Sequence, residues 1–98
     1  QLRYLHDLVE KSAKPVIVAG DFNTFWGTHE LYLFMRASGL RSANEHNHAT
    51  YPASSPRAEL DFVLVSERIR VTEFSVPDIR LSDHRPLICD FTVEGESA

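Results

Sequence analysis

The sequence predicts an α+β fold, because it contains two helical patterns and four strand-like apolar runs. Its length of 98 residues is that of a single small domain. Of these residues 43% are hydrophobic and 24% are charged, which is typical of a chain that folds around a core. No apolar run approaches the roughly 18 residues of a membrane-spanning helix. The net charge of -4 argues against broad nonspecific attraction to nucleic acid.

The first half of the chain predicts a helix, a strand and a second helix. Leucines and a valine recur at helical spacing over residues 1–13, and Pro15 ends that pattern. Residues 16–19 read Val-Ile-Val-Ala, which predicts a short central strand buried on both faces. Thr28 is a suitable N-cap for the next helix, which Gly39 ends.

The second half predicts a long loop and then three strands. Residues 41–58 are polar and rich in Asn, Ser and Pro, and a loop of this length in a small domain is usually functional or disordered. Residues 60–65 and 69–76 are apolar, strand-like runs. Pro86 opens a last strand in which apolar and polar residues alternate as far as Val93.

Three polar motifs interrupt or end these apolar runs. They are Gly-Asp-Phe-Asn at residues 20–23, Leu-Asp-Phe-Val at 60–63 and Ser-Asp-His-Arg-Pro-Leu at 82–87. A buried strand has no structural use for a carboxylate at its tip, so the three motifs predict one site at the edge of a sheet. Oxygen ligands for a cation, together with an acid or base, are what metal-assisted phosphoryl chemistry requires.

Each of these polar residues also has a purely structural interpretation. Asp21 and Asn23 can cap a turn after Gly20, and Asp83 can cap a turn with its neighbouring serine. Asp61 would be costly to bury without a partner, and a pair with His84 would supply one. In a catalytic site the same pair would fix the imidazole tautomer and direct its other nitrogen at substrate.

The motifs resemble those of the endonuclease/exonuclease/phosphatase superfamily. A fourth segment, Thr-Tyr-Pro at residues 50–52, resembles another motif of that group, and all four occur in the family's order. The resemblance covers the chain from Pro15 to Phe91. The superfamily includes exonuclease III-type and abasic endonucleases, pancreatic-type deoxyribonucleases, neutral sphingomyelinases and inositol polyphosphate 5-phosphatases.

This resemblance implies that residues 1–98 are the C-terminal portion of a larger domain. The expected fold is half of a four-layer α/β/β/α sandwich, with one mixed sheet and helices on one face. The N-terminal half of the domain, which would supply an Asn and a Glu to the metal, is expected as a partner. A sheet that is apolar on both faces needs cover on both, so the chain alone is predicted to form a homodimer.

The resemblance also implies roles for individual residues. Asp21 would activate or orient the attacking water, and Asn23 would contact both water and phosphate, with both residues close to the metal. Asp83 resembles a metal-associated carboxylate. His84, paired with Asp61, would stabilise or protonate the phosphoryl oxygens, or would act as the base. The expected cation is Mg²⁺, with Mn²⁺ as an alternative.

Two further residues are candidates for substrate contacts. Arg85 is either a phosphate contact or a solvated loop arginine. Trp26 either stacks on a base and lines a substrate groove, or packs against the sheet edge.

The implied function is metal-dependent hydrolysis of phosphate esters, as a phosphodiesterase, nuclease or phosphatase, by the full-length protein. Substrates in the superfamily include nucleic acid, phospholipid head groups and inositol phosphates. The alternative is a non-catalytic half-domain that is inactive or only mediates association.

Overall fold

A computed structural model describes residues 2–11, 14–22 and 27–95. The predicted helices and strands are present within a few residues, and they confirm the α+β class. The elements are α1 (Leu2–Lys11), β1 (Ile17–Asp21), α2 (Gly27–Ser38), β2 (Arg41–Ser42), β3 (Asp61–Val65), β4 (Ile69–Ser75) and β5 (Ile88–Val93). No helix in the described ranges is long and apolar enough to cross a membrane.

The strands form two antiparallel sheets, where the sequence predicted one mixed sheet. One sheet has the order β1-β3-β2, and the other pairs β4 with β5. Because β1 and β2 occupy both hydrogen-bonding edges of β3, β4 cannot pair with β3 and pairs with β5 instead. The predicted burial of β1 on both faces is also corrected. In its sheet β1 is an edge strand, and most of its residues are exposed.

The core lies between α2 and the three-stranded sheet. Leu31 and Phe34 of α2 pack with Leu64 of β3 and with Leu40, and all four are buried. Leu40 reaches this cluster because α2 ends at Gly39, whose φ of 69° is the left-handed conformation that glycine adopts without strain. The Leu40 amide then donates to the Met35 carbonyl at 2.9 Å, which closes the helix end.

A bulge in β4 decides which of its side chains face inward. The pairing with β5 shifts register between Val71 and Glu73. As a result Phe74 joins Ile69 and Val71 on one face, where strict alternation would have placed Glu73. Ile69 is buried and the other two apolar side chains are partly buried.

The long polar loop is ordered by buried polar groups. The Asn44 side-chain amide donates to the His48 carbonyl at 3.0 Å and to Glu59 Oε2 at 3.2 Å, and its oxygen accepts from the His48 amide at 3.0 Å. Burial raises the pKa of Glu59, and the hydrogen bond from Asn44 acts in the opposite direction. This packing fixes the path of the loop towards Thr50, which is fully buried.

Candidate active site

Two aspartates lie side by side at one end of the three-stranded sheet. Asp21 ends β1 and Asp61 begins β3, and the antiparallel register places them directly opposite each other. The pairing continues past Asp21, because the Phe22 amide donates to the Leu60 carbonyl at 2.8 Å. Like charges in directly opposite positions destabilise a sheet. The arrangement therefore requires a positive group or a cation nearby.

Asp61 is held by a buried hydroxyl. Thr50, whose relative exposure is 0%, donates from Oγ1 to Asp61 Oδ2 at 2.7 Å. The same Thr50 oxygen accepts from the Leu60 amide at 3.1 Å and from the Asp61 amide at 3.3 Å. Since both backbone donors point at this oxygen, the hydroxyl proton is available only for the carboxylate.

His84 supplies the positive group between the two aspartates. Its Nδ1 lies 2.6 Å from Asp61 Oδ2, and its Nε2 lies 3.9 Å from Asp21 Oδ2. A carboxylate only accepts hydrogen bonds, so the imidazole donates from Nδ1, and Nε2 is directed towards Asp21. The Tyr51 ring lies against the imidazole, with 4.9 Å between the ring centroids.

The charges around His84 favour its protonated form. The hydrogen bond to Asp61 is the largest cause of a raised His84 pKa, and the negative charges of Asp61, Asp21 and Asp83 act in the same direction, while burial opposes them. Asp21 is 43% exposed and Asp61 is 19% exposed, so the cluster opens to solvent on the Asp21 side.

We predict that the His84 pKa in the metal-free protein lies above its ordinary value of 6.5. Asp61→Asn should lower it by more than Asp83→Asn, because Asp61 contributes both the hydrogen bond and a charge. Protonation of His84 also stabilises the folded protein. This contribution to the free energy of unfolding is fully present below about pH 6.5 and is lost as the pH rises through the His84 pKa of the folded state. NMR titration of the imidazole protons in EDTA, with unfolding at several pH values, measures both effects. A His84 pKa at or below 6.5 would contradict the prediction.

Asp83 occupies a different position from the other two aspartates. Its side chain is exposed and accepts from the Ser82 hydroxyl at 3.2 Å. The same hydroxyl oxygen accepts from the His84 amide at 3.3 Å, so Ser82 caps this turn. Asp83 is near enough to influence His84 by charge, but its carboxylate is not a member of the three-residue cluster described below.

The other predicted site residues are either engaged elsewhere or not described. Arg85 was predicted to be a phosphate contact or a solvated arginine. Its guanidinium bonds to the Ala53 carbonyl and to Asp78, and the phosphate contact stays a prediction. Asn23 and Trp26 lie outside the described residues.

The donor set of this site suits a divalent cation. Potential ligand atoms of Asp21, Asp61 and His84 all lie within 4.8 Å of one another. Two carboxylates and one imidazole are compatible with Mg²⁺ or Mn²⁺ and with later transition metals. Asp61 Oδ2 already accepts two hydrogen bonds, so the more exposed Asp21 is the more available ligand.

Comparison with known proteins identifies the family. A model of the Endonuclease/Exonuclease/phosphatase family matches residues 1–84. The chain belongs to this family. It is similar to a UPF0294 protein of Erwinia tasmaniensis, with 40% identity over 83 residues, which covers 81% of this chain and 29% of that protein. The chain thus spans about 29% of the length of this curated relative. No solved structure matches.

Members of the endonuclease/exonuclease/phosphatase family have a common type of reaction. The family comprises hydrolases of phosphate esters, and its members commonly bind divalent metals. The resemblance drawn from the sequence motifs is thereby confirmed.

One structural feature of the site was not predicted from the sequence. Thr50 was noted within a motif, but its hydrogen bond to Asp61 was not predicted. The sequence could have indicated it, because a carboxylate such as Asp61 that is partly buried in an apolar strand needs more than one hydrogen-bond donor.

Proposed function

We propose that this chain is the C-terminal portion of the catalytic domain of a metal-dependent phosphodiesterase, nuclease or phosphatase. The longer protein that carries this domain is called the parent protein below. The observation that carries the proposal is the His84 imidazole, oriented by Asp61 at Nδ1 and directed by Nε2 at Asp21. Three functional groups from separate parts of the chain converge there. A turn cap or a single structural ion pair would not need three such groups.

In the proposed hydrolysis a water oxygen bonds to phosphorus, the ester P–O bond breaks, and the departing oxygen takes a proton from solvent. Asp21 accepts the proton of the water, and Asn23 orients that water. His84 donates from Nε2 to the phosphoryl oxygens. The hydrogen bond to Asp61 and the nearby carboxylates raise the His84 pKa, which favours the protonated form that donates at Nε2. In the alternative role a neutral His84 acts as the base.

The proposed cation is Mg²⁺, with Mn²⁺ as an alternative. Asp21 and Asn23 would hold it, with Asp83 as a further carboxylate nearby, and the N-terminal half of the domain would complete the ligand set. A bound cation neutralises the phosphate charge and stabilises the charge that develops in the transition state. The closeness of potential ligand atoms of Asp21, Asp61 and His84, all within 4.8 Å of one another, supports a cation at this point.

The proposed substrate is a phosphate ester in nucleic acid, a phospholipid head group or an inositol phosphate. The decisive assay measures hydrolysis of DNA, sphingomyelin, an inositol polyphosphate and bis-p-nitrophenyl phosphate by the parent protein, with Mg²⁺ or with EDTA. Mg²⁺-dependent hydrolysis of at least one ester is expected, and restoration of Mg²⁺ should restore it. No hydrolysis of any of these esters, or a rate that EDTA leaves unchanged, would refute the function.

The alternative function, a non-catalytic half-domain, applies to the isolated chain. We predict that residues 1–98 alone hydrolyse phosphate esters far more slowly than the parent protein and bind Mg²⁺ weakly. The reason is that the Glu expected from the N-terminal half of the domain is not among these residues, and Asp21 without that partner carboxylate supplies too little charge to replace the hydration shell of Mg²⁺. Calorimetric titration with Mg²⁺ and the same assays test this. Turnover equal to that of the parent protein would show that this chain holds the whole catalytic site.

We also predict that the isolated chain self-associates. The helices cover the face of the sheet that carries Leu64, and Val63 and Val65 belong to the opposite face with Ile17 and Ala19. Val65 is buried there, but Ile17 and Ala19 of the edge strand are exposed. Sedimentation velocity over a range of concentrations should show a dimer that Ile17→Lys weakens. Leu81→Lys, at an exposed leucine in a loop, is the matched control and should leave the dimer intact. A monomer at high micromolar concentration would contradict this prediction.

A further inference from the structure

The Arg85 side chain is fixed by the protein rather than extended into solvent. Its Nε donates to the Ala53 carbonyl at 2.8 Å, and its Nη2 lies 3.1 Å from Asp78 Oδ1. The side chain is only 17% exposed. A guanidinium presents its five N–H groups in a rigid plane, so two bonded directions fix its orientation. Its charge is also balanced by Asp78, which weakens its attraction for a phosphate.

The backbone on both sides of His84 is bonded to the segment of residues 50–53. The Ala53 amide donates to the Asp83 carbonyl at 2.7 Å, and the Arg85 amide donates to the Thr50 carbonyl at 2.7 Å. The Arg85 side chain adds a third bond to this segment. Because Thr50 also holds Asp61, one segment determines the positions of both members of the Asp61–His84 pair.

We propose that Arg85 is a positioning residue that sets the place of His84 relative to Asp61, and that Asp78 orients the Arg85 guanidinium. This inference rests on the proposed function, in which the alignment of His84 Nε2 determines the rate. It assigns Arg85 to the support of the catalytic histidine instead of to the phosphate. A displacement of about 1 Å at a catalytic group can lower a rate by as much as a hundredfold, so such support has a measurable effect.

Asp78 offers a matched control, because a second arginine bonds to the same carboxylate. Arg80 Nε lies 2.7 Å from Asp78 Oδ1, and Arg80 Nη2 lies 3.1 Å from Asp78 Oδ2. These bonds lower the pKa of Asp78, with the hydrogen bond from Arg80 as the largest cause. Arg80 has the same charge and the same partner as Arg85, but none of its described bonds reaches residues 50–53.

The kinetic test uses the parent protein with Arg85→Met, Arg85→Lys, Arg80→Met and Asp78→Ala. We expect Arg85→Met to lower kcat about tenfold with little change in KM, and Asp78→Ala to do so more weakly. Arg85→Lys should not rescue kcat, because an ammonium lacks the planar fork that reaches both Ala53 and Asp78. Arg80→Met should leave both constants unchanged.

A phosphate contact would give the opposite pattern and would overturn the proposal. Arg85→Met would then raise KM, Arg85→Lys would largely restore binding, and Asp78→Ala would lower KM by releasing the guanidinium. Equal effects of Arg85→Met and Arg80→Met would also overturn it, because a general loss of surface charge would explain both. Asp78→Ala changes only an exposed side chain, so it keeps the test decisive if Arg85→Met fails to fold.

An NMR measurement separates this inference from the proposed function. In the parent protein labelled with ¹⁵N-histidine, the Nδ1 proton of His84 should give a resonance typical of a strong hydrogen bond, assigned by its loss in His84→Gln. Arg85→Met should weaken or broaden that resonance, and Arg80→Met should not. If Arg85→Met leaves it unchanged, the positioning role is refuted even in an active enzyme. If the resonance weakens while no ester is hydrolysed, the positioning stands and the proposed function fails.

Discussion

Replacing Asp21 or His84 by alanine should each lower the rate of phosphate-ester hydrolysis by the parent protein at least about a hundredfold, the scale expected for a general acid or base. Asp21→Ala removes the proposed acceptor of the water proton and a ligand of the cation. His84→Ala removes the donor at Nε2, and the Asp61 carboxylate then lies beside Asp21 without the imidazole between them.

The two variants should differ in their response to metal. Asp21→Ala should require more Mg²⁺ for half-maximal activity, whereas His84→Ala should keep the dependence of the parent protein and lose only turnover. His48→Ala is the matched control, because this histidine lies in the loop and bonds through its backbone to Asn44. Steady-state rates over a Mg²⁺ series measure these effects. Wild-type turnover in either variant would remove that residue from the mechanism.

The local elements of this fold were predictable, because each carries its signal within a few residues. The spacing of Leu31 and Phe34 indicates α2, and Gly39 marks its end. The run that begins at residue 60 indicates β3. Pairing between strands is a longer-range property. Nothing near β3 in the sequence shows that β1 and the two-residue strand β2 occupy both of its edges.

The candidate site was predictable to the same extent. Asp21, Asp61 and His84 stand out because each is a polar residue at the end of an apolar run, and the structure brings all three together. The bonds that support them could not be predicted from a pattern, because they depend on where a loop passes. The side chains of Thr50 and Arg85 bond to residues that lie between 7 and 32 positions away along the chain.

Thr50→Val should lower the free energy of unfolding by about 3 kcal/mol, although valine has nearly the volume of threonine. The variant leaves the amides of Leu60 and Asp61 without their buried acceptor and removes one donor from the Asp61 carboxylate. Each buried polar group that loses its partner costs about 1–3 kcal/mol. Every buried side-chain polar atom in the described residues has a partner in the native chain, so the variant introduces a defect that the fold otherwise lacks.

Thr50→Ser is the matched control, because it keeps the hydroxyl and removes only a methyl group. It should cost about 1 kcal/mol, the scale for one buried carbon. Denaturant unfolding of both variants in EDTA gives the two free energies without a contribution from bound metal. If the valine and serine variants are equally stable, the Thr50 hydroxyl does not stabilise Asp61. If serine is the less stable variant, packing of the methyl group outweighs the hydrogen bonds at this position.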